Sequence, residues 1–343
     1  MLADEIPAVL QRCRGDFFPN PGATLNAAVL RSLAMPPRCE AFAEPVAGEG
    51  EVIVRVHAAA LSPATKAIAS GTHYSSPVAL PVVCGLDGVG HLDDGTRVFF
   101  GGPRSPFGTM AERTVVPRGR CWPIPEGIDD VTAAALPNPA MSSWLPFTWG
   151  VRLAPGETVL ILGATGVAGK LAVQIAKLLG AGRVVAAGRN ETVLSTLHEL
   201  GADTTIRLGV PDSDLVEAFA REAGETGYDV IIDYLWGRPT EALLTAMTRS
   251  EISFEASGPR LVQVGNSAGP AISLTAAAVR SVGLTIRGGG FPPLDVFVEA
   301  LRQLMARAAS GELQIATEEV PLAQTEEAWK REDNNGRRLV IRP

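Results

Sequence analysis

The stretch that decides the fold is "LILGATGVAGKLAVQIAKLLGA", Leu160 to Ala181. It begins with an apolar run, passes through Gly163, Gly166 and Gly169, and continues with apolar residues at helical spacing. This pattern predicts a buried strand, a tight turn and an amphipathic helix. Small residues at such a turn leave backbone N–H groups free to bind a phosphate at the positive end of the helix dipole. The alternative is a turn with no ligand.

The surrounding sequence favours the phosphate site. Short apolar runs alternate with helical patterns, beginning at Thr158: "TVLIL", "RVVAAG", "DVIIDYL" and "RLVQVG". Such alternation is typical of βαβ units with a parallel sheet that helices cover on both faces. A glycine-rich turn in that setting predicts a dinucleotide site. The residues predicted to bind it at this turn are Gly163, Ala164, Thr165, Gly166, Val167 and Gly169.

The next strand indicates which dinucleotide is bound. NAD-binding folds usually carry an acidic residue at the end of this strand, roughly 20 residues after the turn, whereas an arginine accommodates the 2′-phosphate of NADP. Here the strand ends "RVVAAGRN", with Gly188 at the acidic position, followed by Arg189 and Asn190. The sequence therefore predicts NADPH, with these three residues at its adenosine end. The alternative is that Arg189 only ends a surface strand.

The two ends of the chain differ from this middle part. From Ala27 to about Phe147 short strand patterns such as "EVIVRVHAAAL" and "TRVFFGG" are separated by proline and glycine. After Gly288–Gly290 the sequence predicts an amphipathic helix ending near Gly311 and two more strands. The first 26 residues read as an added arm.

Composition excludes several classes of function. The chain has 343 residues, 46% of them apolar and 20% charged, which is typical of a globular protein. Its net charge of -7 gives no basic surface for nucleic acid or an anionic membrane. Neither a signal peptide nor an apolar run long enough to span a bilayer stands out, so we expect a cytoplasmic protein.

Several motifs in the same order as in a known family identify a resemblance. They are "PVVCGLDGVGHLDDGTRVFF", "FGTMAERTVVP", "AALPNPAMSSW", the glycine turn, "LGAD" and "RLVQVGNSAG". The chain resembles a medium-chain dehydrogenase/reductase of the zinc-independent quinone oxidoreductase branch. The resemblance implies an α/β fold in which a Rossmann doubly wound parallel sheet (146–287) is inserted in a GroES-like β-rich substrate domain (27–145, completed by 288–343), after an N-terminal extension (1–26).

The resemblance also bears on metal and reaction type. Zinc-dependent relatives carry a cysteine near the position of Ser62 and a histidine in the turn that here reads "GLDG", with Leu86 and Asp87, so we predict no metal site. The implied reaction is hydride transfer from NADPH to a small-molecule quinone or α,β-unsaturated carbonyl. Two alternatives remain open: a carbonyl reductase or alcohol dehydrogenase, and a non-catalytic NADPH-binding protein.

The segment Ser62–Tyr74 is where the resemblance places the wall of the substrate cleft. Relatives often carry Asn-Pro-x-Asp here, whereas this chain has Ser62 and Thr65 at the polar positions. Tyr74 is the leading candidate for a proton donor, because a phenol can donate to a developing enolate oxygen. The predicted catalytic residues are therefore Tyr74, Ser62 and Thr65, and the alternative for Tyr74 is packing against substrate.

The resemblance implies further contacts to the cofactor and a partner. Three segments follow helices or strands that border the nicotinamide in relatives, namely "LPNPAMSSW", "DYLWG" and "GNSAG". Their predicted cofactor-binding residues are Asn138, Ser142, Tyr234, Leu235, Trp236, Gly265, Asn266 and Ser267. The strand in "LTIRGGGF" pairs with its counterpart in relatives, so we expect a homodimer.

Overall fold

The computed structural model describes residues 22–73, 76–77, 79–248, 258–290, 292–332, 334 and 336–343. The strands are β1 (Thr24–Leu30), β2 (Arg38–Ala43), β3 (Glu51–Leu61), β4 (Val82–Val83), β5 (Asp87–His91), β6 (Arg97–Gly101), β7 (Arg113–Pro117), β8 (Cys121–Pro123), β9 (Thr158–Leu162), β10 (Arg183–Gly188), β11 (Thr204–Arg207), β12 (Val230–Asp233), β13 (Arg260–Gln263), β14 (Thr285–Gly288), β15 (Thr317–Pro321) and β16 (Arg338–Arg342). The α-helices are α1 (Pro63–Ala69), α2 (Asp130–Ala135), α3 (Pro137–Leu145), α4 (Val167–Leu178), α5 (Glu191–Thr196), α6 (Asp212–Ala223), α7 (Arg238–Met247), α8 (Ala276–Val282), α9 (Leu294–Ala309) and α10 (Thr325–Lys330).

The middle of the chain forms a six-stranded sheet in the order β11-β10-β9-β12-β13-β14, and every neighbouring pair is parallel. This is the strand order of a doubly wound dinucleotide-binding fold, in which the order reverses between the first and fourth strands. The reversal here lies between β9 and β12. The predicted fold class is confirmed.

The strands of this sheet are apolar at consecutive positions because both faces are covered. In β9, Val159 and Ile161 pack into one apolar cluster, whereas Leu160 and Leu162 pack into the cluster on the opposite face. All four are fully buried. A continuous apolar strand is therefore required, and the amphipathic helix α4 covers one face with residues such as Leu171 and Ile175.

The remaining strands form two β-rich sheets. A three-stranded sheet has the order β2-β1-β4, and a seven-stranded sheet has the order β15-β16-β3-β5-β6-β8, with β7 also paired to β3. The last strand of the chain, β16, runs antiparallel to β3, with Leu339 opposite Leu61. Strands from the two ends of the sequence thus share one sheet.

The end of one helix and the end of one strand differ slightly from those predicted from the sequence. Helix α9 ends at Ala309, because Ser310 takes the C-cap position before Gly311 turns with φ of 79°. Strand β12 ends at Asp233, and the backbone then reverses at Trp236 (φ 57°) and Gly237 (φ 62°). Within the described ranges no helix is both long and apolar enough to cross a bilayer.

Candidate active site

The loops that follow β9, β12 and β13 meet at the carboxyl ends of the parallel strands. A Cβ on Gly163 would lie 3.2 Å from the Cβ of Tyr234 and 3.1 Å from a methyl group of Leu235. A Cβ on Gly265 would lie 2.6 Å from the carbonyl oxygen of Tyr234. In open α/β sheets, ligands bind beyond the carboxyl ends of the strands at the switch point, which is where these loops meet.

In the glycine turn, the start of α4 packs so closely against the backbone after β9 that residue 169 must be glycine. A Cβ on Gly169 would lie 2.3 Å from the carbonyl oxygen of Gly163 and 2.5 Å from the Cα of Ala164, so no larger residue fits. Helix α4 starts after Gly166, which supplies no side-chain cap. The first N–H groups of a helix lack partners within it, and here they face the edge of the sheet where ligands bind.

Gly188, at the end of β10, lies against the glycine turn. A Cβ at this position would lie 2.4 Å from the side chain of Thr165, so a larger residue here requires that side chain to move. Arg189, the next residue, is exposed. Asn190 caps α5, its side-chain oxygen accepting a hydrogen bond from the N–H of Val193 at 3.1 Å. Arg189 is therefore the residue of this trio with a side chain available to a ligand.

A second guanidinium lies at the same carboxyl end of the sheet. Arg207 ends β11 and stands directly opposite Gly188 in the strand register. Its partner is Glu191, in an ion pair between two largely exposed side chains. Exposed ion pairs contribute little, so Arg207 remains available to a phosphate. Sequence reasoning missed it, and the only signal was an arginine closing a strand.

Asp233 shapes the loop after β12. It is fully buried, and its Oδ1 accepts hydrogen bonds from the N–H groups of Leu235 (2.8 Å) and Trp236 (2.9 Å). Its Oδ2 accepts one from the Thr240 hydroxyl at 2.6 Å. Burial raises the pKa of Asp233, while these hydrogen bonds act in the opposite direction. The carboxylate holds Trp236 in its positive-φ conformation, and sequence reasoning did not single it out.

Tyr234 reaches from this loop to helix α3. Its hydroxyl lies 3.0 Å from the Oγ of Ser142, which in turn donates to the carbonyl oxygen of Pro139 at 2.6 Å. Burial raises the pKa of Tyr234 to about 12, so the phenol stays protonated. The structure thus brings two of the predicted cofactor residues into direct contact.

The other predicted cofactor residues lie around this pair. Ser267 follows β13, and its hydroxyl donates to the carbonyl oxygen of Tyr234 at 3.2 Å. Asn266 is exposed beside it, and Asn138 is exposed in the first turn of α3. Leu235 also anchors this loop, its carbonyl oxygen accepting a hydrogen bond from the Ala268 N–H at 2.8 Å.

The predicted catalytic residues on the substrate side have structural partners. Ser62 caps helix α1, its Oγ accepting from the Thr65 N–H at 3.1 Å and lying 2.9 Å from the Thr65 hydroxyl. Both side chains are buried, at 4% and 3% exposure. Lys66, on the same helix, donates to the carbonyl oxygen of Arg331 at 2.9 Å. Tyr74 lies outside the described residues.

The β-rich sheet contains a carboxyl and a guanidinium of opposite charge, Asp87 and Arg338. Arg338, at the start of β16, is 5% exposed and donates to the carbonyl oxygen of Leu61 at 3.2 Å, while its Nε lacks a protein partner. Asp87 begins β5. Burial raises its pKa to about 6, and the positive charge of Arg338 partly offsets this. The pair was not predicted, because it joins residues distant in sequence.

The chain is similar to dehydrogenases and quinone reductases from other organisms. The family described as zinc-binding dehydrogenase matches residues 167–306. An Emericella nidulans protein described as a probable NADPH-dependent quinone reductase is 30% identical over 234 residues, or 64% of this chain and 63% of that protein. The match therefore covers less than two thirds of the length of that relative.

Two further relatives cover more of the chain. The quinone oxidoreductase of Sus scrofa is 28% identical over 258 residues, covering 71% of this chain and 72% of the relative. The quinone oxidoreductase of Thermus thermophilus, whose structure was also solved with NADPH, superposes with a TM-score of 0.76. That structure is 29% identical in sequence, and the superposition covers 93% of this chain and 100% of that one.

The family description raises the question of zinc. A zinc site needs several nitrogen, sulfur or carboxylate ligands that converge. No three histidine, cysteine, aspartate or glutamate side chains do so anywhere in the described part of the chain. Ser62 uses its hydroxyl in the cap of α1, and Leu86 offers no ligand. The described residues therefore do not fit a zinc ion.

Proposed function

Because the chain belongs to the quinone oxidoreductase branch of the medium-chain dehydrogenase/reductase superfamily, we propose that it is an enzyme that uses NADPH to reduce quinones or α,β-unsaturated carbonyls without zinc. The proposal places the protein in the cytoplasm with a small-molecule substrate. Its coarser part, an NAD(P)-dependent oxidoreductase similar to quinone oxidoreductases, follows from the relatives.

The observation that carries the proposal is the uncapped start of α4. Gly169 allows the turn to close on Gly163, and Gly166 supplies no side-chain cap, so backbone N–H groups at a helix N-terminus face the switch point of the sheet. A pyrophosphate satisfies both the hydrogen-bonding groups and the helix dipole. Arg189 and Arg207 lie at the neighbouring strand ends, where they support a 2′-phosphate.

The bound dinucleotide would supply the hydride. The chain's own residues bind and orient it: the α4 start holds the diphosphate, and the loops after β12 and β13 border the crevice. We propose Tyr74 as the group that donates a proton to the oxygen of the reduced substrate. Ser62 and Thr65 are proposed to fix α1, the helix that carries the segment leading to Tyr74.

A homodimer is part of the proposal. Strand β14 is the edge of the six-stranded sheet, and all four of its residues are exposed. Unpaired edge strands invite pairing with another chain. Ile286 (37% exposed) on this strand and Val279 (39%) on α8 add apolar surface there. Light scattering tests this point, and a monomer at micromolar concentration would contradict it.

Steady-state absorbance measurements test the activity. NADPH oxidation is followed with a panel of quinones, enals, enones and simple ketones, and with NADH in parallel. We expect turnover of quinones or enones and a higher kcat/KM with NADPH. Turnover of simple ketones alone would favour a carbonyl reductase, and NADPH binding without turnover of any compound would favour a binding protein. The variant Tyr74→Phe should lower kcat about a hundredfold if Tyr74 donates the proton.

A further inference from the structure

Arg338 is a buried cation with fewer acceptors than its guanidinium group can use. The residue is 5% exposed, and its N–H groups can only donate hydrogen bonds. Nη1 donates to the carbonyl oxygen of Leu61 at 3.2 Å, whereas the buried Nε has no partner in the described part of the chain. Burial lowers the pKa of Arg338 to about 10, so the group is still charged at neutral pH. A buried charge with unfilled hydrogen-bonding capacity is unfavourable, so a further acceptor would stabilise it.

The carboxyl group of Asp87 does not fill this role. Its charge raises the pKa of Arg338, in opposition to burial, but it does so from a distance. Among the described residues, no carboxylate forms an ion pair or a hydrogen bond with Arg338. The guanidinium therefore has a compensating charge nearby and no direct carboxylate partner.

The guanidinium lies at the end of the β-rich sheet that adjoins the glycine turn. Strand β3 ends at Leu61, and its antiparallel neighbours β5 and β16 begin at the same end, with Asp87 and Arg338 as their first residues. A Cβ on Gly336, which shortly precedes Arg338, would lie 3.0 Å from the carbonyl oxygen of Thr165 in the glycine turn. This end of the sheet is therefore next to the proposed dinucleotide site.

The side chain of Arg338 belongs to the face of the sheet on which α3 packs. Side chains alternate along a strand, so Arg338 shares a face with Val340 and not with Leu339. Val340 packs in the cluster that contains Met141 of α3, whereas Leu339 packs in the opposite cluster. Helix α3 carries the segment proposed to border the nicotinamide, and Leu61 precedes α1, in the proposed wall of the substrate cleft. The cation thus lies where the β-rich sheet joins both of these elements.

We propose that Arg338 binds a carboxylate of the substrate, so that the preferred substrates are α,β-unsaturated carbonyl compounds that also carry an acidic group. The inference rests on the proposed function and names the substrate class for the same site. A carboxylate supplies two coplanar acceptors, which match a guanidinium in paired hydrogen bonds. The diphosphate of the dinucleotide is the other oxyanion at this junction, and the binding of NADPH alone separates the two.

Two substrates that differ in one charge test the assignment. trans-Acetylacrylate is an enone with a carboxylate, and its methyl ester has the same enone without the charge. Steady-state measurements with NADPH give kcat/KM for each compound. The intrinsic reactivities of the two compounds are the same for every variant, so a change in the acid-to-ester ratio of kcat/KM reports on the carboxylate alone.

Arg338→Met removes the charge and keeps a long side chain. The acid-to-ester ratio should fall about tenfold or more, the effect of one charge-assisted hydrogen bond, while kcat/KM for the ester stays within about threefold of the wild type. Arg338→Lys keeps the charge without the paired geometry and should retain part of the ratio. Arg342→Met is the matched control, because it removes a guanidinium that pairs with Glu319 at 3.7 Å at the other end of β16, and it should keep the wild-type ratio.

Asp87→Asn tests the same assignment in the opposite direction. It removes the negative charge that acts on Arg338 and that would repel a second carboxylate. The acid-to-ester ratio should therefore rise about threefold or more. If Arg338→Met does not fold, this variant decides the matter, and an unchanged or lower ratio would contradict the assignment.

The outcomes separate the inference from the proposed function. An unchanged ratio in Arg338→Met overturns the carboxylate assignment, as does a wild type that reduces quinones or the ester but not the acid. If fluorescence titration shows that Arg338→Met binds NADPH about tenfold more weakly while the ratio is unchanged, the oxyanion is the diphosphate, and the assignment is again wrong. A wild type that reduces neither enone nor any quinone overturns the proposed function itself, and the inference with it.

Discussion

Helices α1 and α4 each begin near the end of a strand, yet their first turns are built differently. At α1 the side chain of Ser62 accepts from the Thr65 N–H, and the two hydroxyls bond to each other. At α4 the N-cap residue is Gly166, which has no side chain to do this. A first-turn N–H that donates to an N-cap side chain already has a partner, whereas first-turn N–H groups without a side-chain cap can bind an anion. The contrast supports the proposed binding of a dinucleotide at α4.

The largest effect should come from Gly169→Ala. The added Cβ would lie 2.3 Å from the Gly163 carbonyl oxygen, and backbone cannot move aside cheaply. We expect a loss of at least about 3 kcal/mol in the free energy of unfolding, at the upper end of overpacking costs, together with loss of NADPH binding. Urea unfolding and fluorescence titration measure both.

Gly166→Ala is the matched control for that variant. Its new Cβ would lie 3.5 Å from the nearest atom, an ordinary contact, and the φ of -79° suits alanine. Its stability should stay within about 0.5 kcal/mol of the wild type. If both variants were equally stable, the close packing ascribed to the glycine turn would be wrong.

On the β-rich side the largest expected effect is in pH dependence. The pKa of Asp87 is raised from 3.8 to about 6 when the chain folds, so the folded state holds this proton more tightly than the unfolded state does. Folding stability should therefore fall as pH rises from about 4 to about 6, by up to about 3 kcal/mol from this group. Asp87→Asn should remove that decline in urea unfolding curves.

Asp94 provides the opposite case for comparison. Hydrogen bonds from Thr96 lower the pKa of this exposed carboxyl, so its contribution to stability grows as pH rises. Asp94→Asn should leave the decline between pH 4 and 6 in place. A decline that persists in Asp87→Asn would place the titrating group elsewhere.

A smaller effect is expected at the adenosine end of the crevice. Arg189→Ala should weaken NADPH binding about tenfold and leave NADH binding unchanged, because a charge-assisted hydrogen bond contributes about 1.5 kcal/mol or more. Arg280→Ala, which removes an exposed arginine from α8, is the control. Equal losses for both dinucleotides would mean that Arg189 does not distinguish them, and Arg207 would then be the residue to replace.

The smallest effect is expected at the capped helix. Ser62→Ala should cost about 1 kcal/mol of stability, as is usual for an N-cap, and change kcat less than twofold. Ser62→Thr keeps a hydroxyl and should retain most of the stability. A tenfold fall in kcat at unchanged stability would instead support the catalytic role predicted for Ser62 and weaken the contrast between α1 and α4.

The fold could be predicted because its signals are local. An apolar strand such as β9, buried on both faces, and the helix after it are visible in adjacent residues. The glycines of the turn are also local, although the reason for Gly169 is a backbone contact that only the structure reveals. The same holds for Gly188, whose close contact with the side chain of Thr165 only the structure reveals.

The side-chain pairings could not be predicted, because they join residues far apart in sequence. Ser142 and Tyr234 are 92 positions apart, and nothing in either segment points to the other. Arg338 and Leu61 are 277 positions apart. Asp233 was overlooked for a different reason: a carboxylate that holds a loop together looks, in sequence, like any polar residue ending a strand.

The pairing of β16 with β3 has a consequence for biosynthesis. Residues 59–61 of β3 are made early, but their partners, residues 339–341, are made only after the whole parallel sheet has been synthesised. The parallel sheet is encoded by the contiguous stretch 158–288. It can therefore assemble while residues 59–61 of β3 still lack their partners. We expect the parallel sheet to form first on the ribosome, with the β-rich sheet closing only after residue 341 emerges, as protease resistance of stalled chains of increasing length would show.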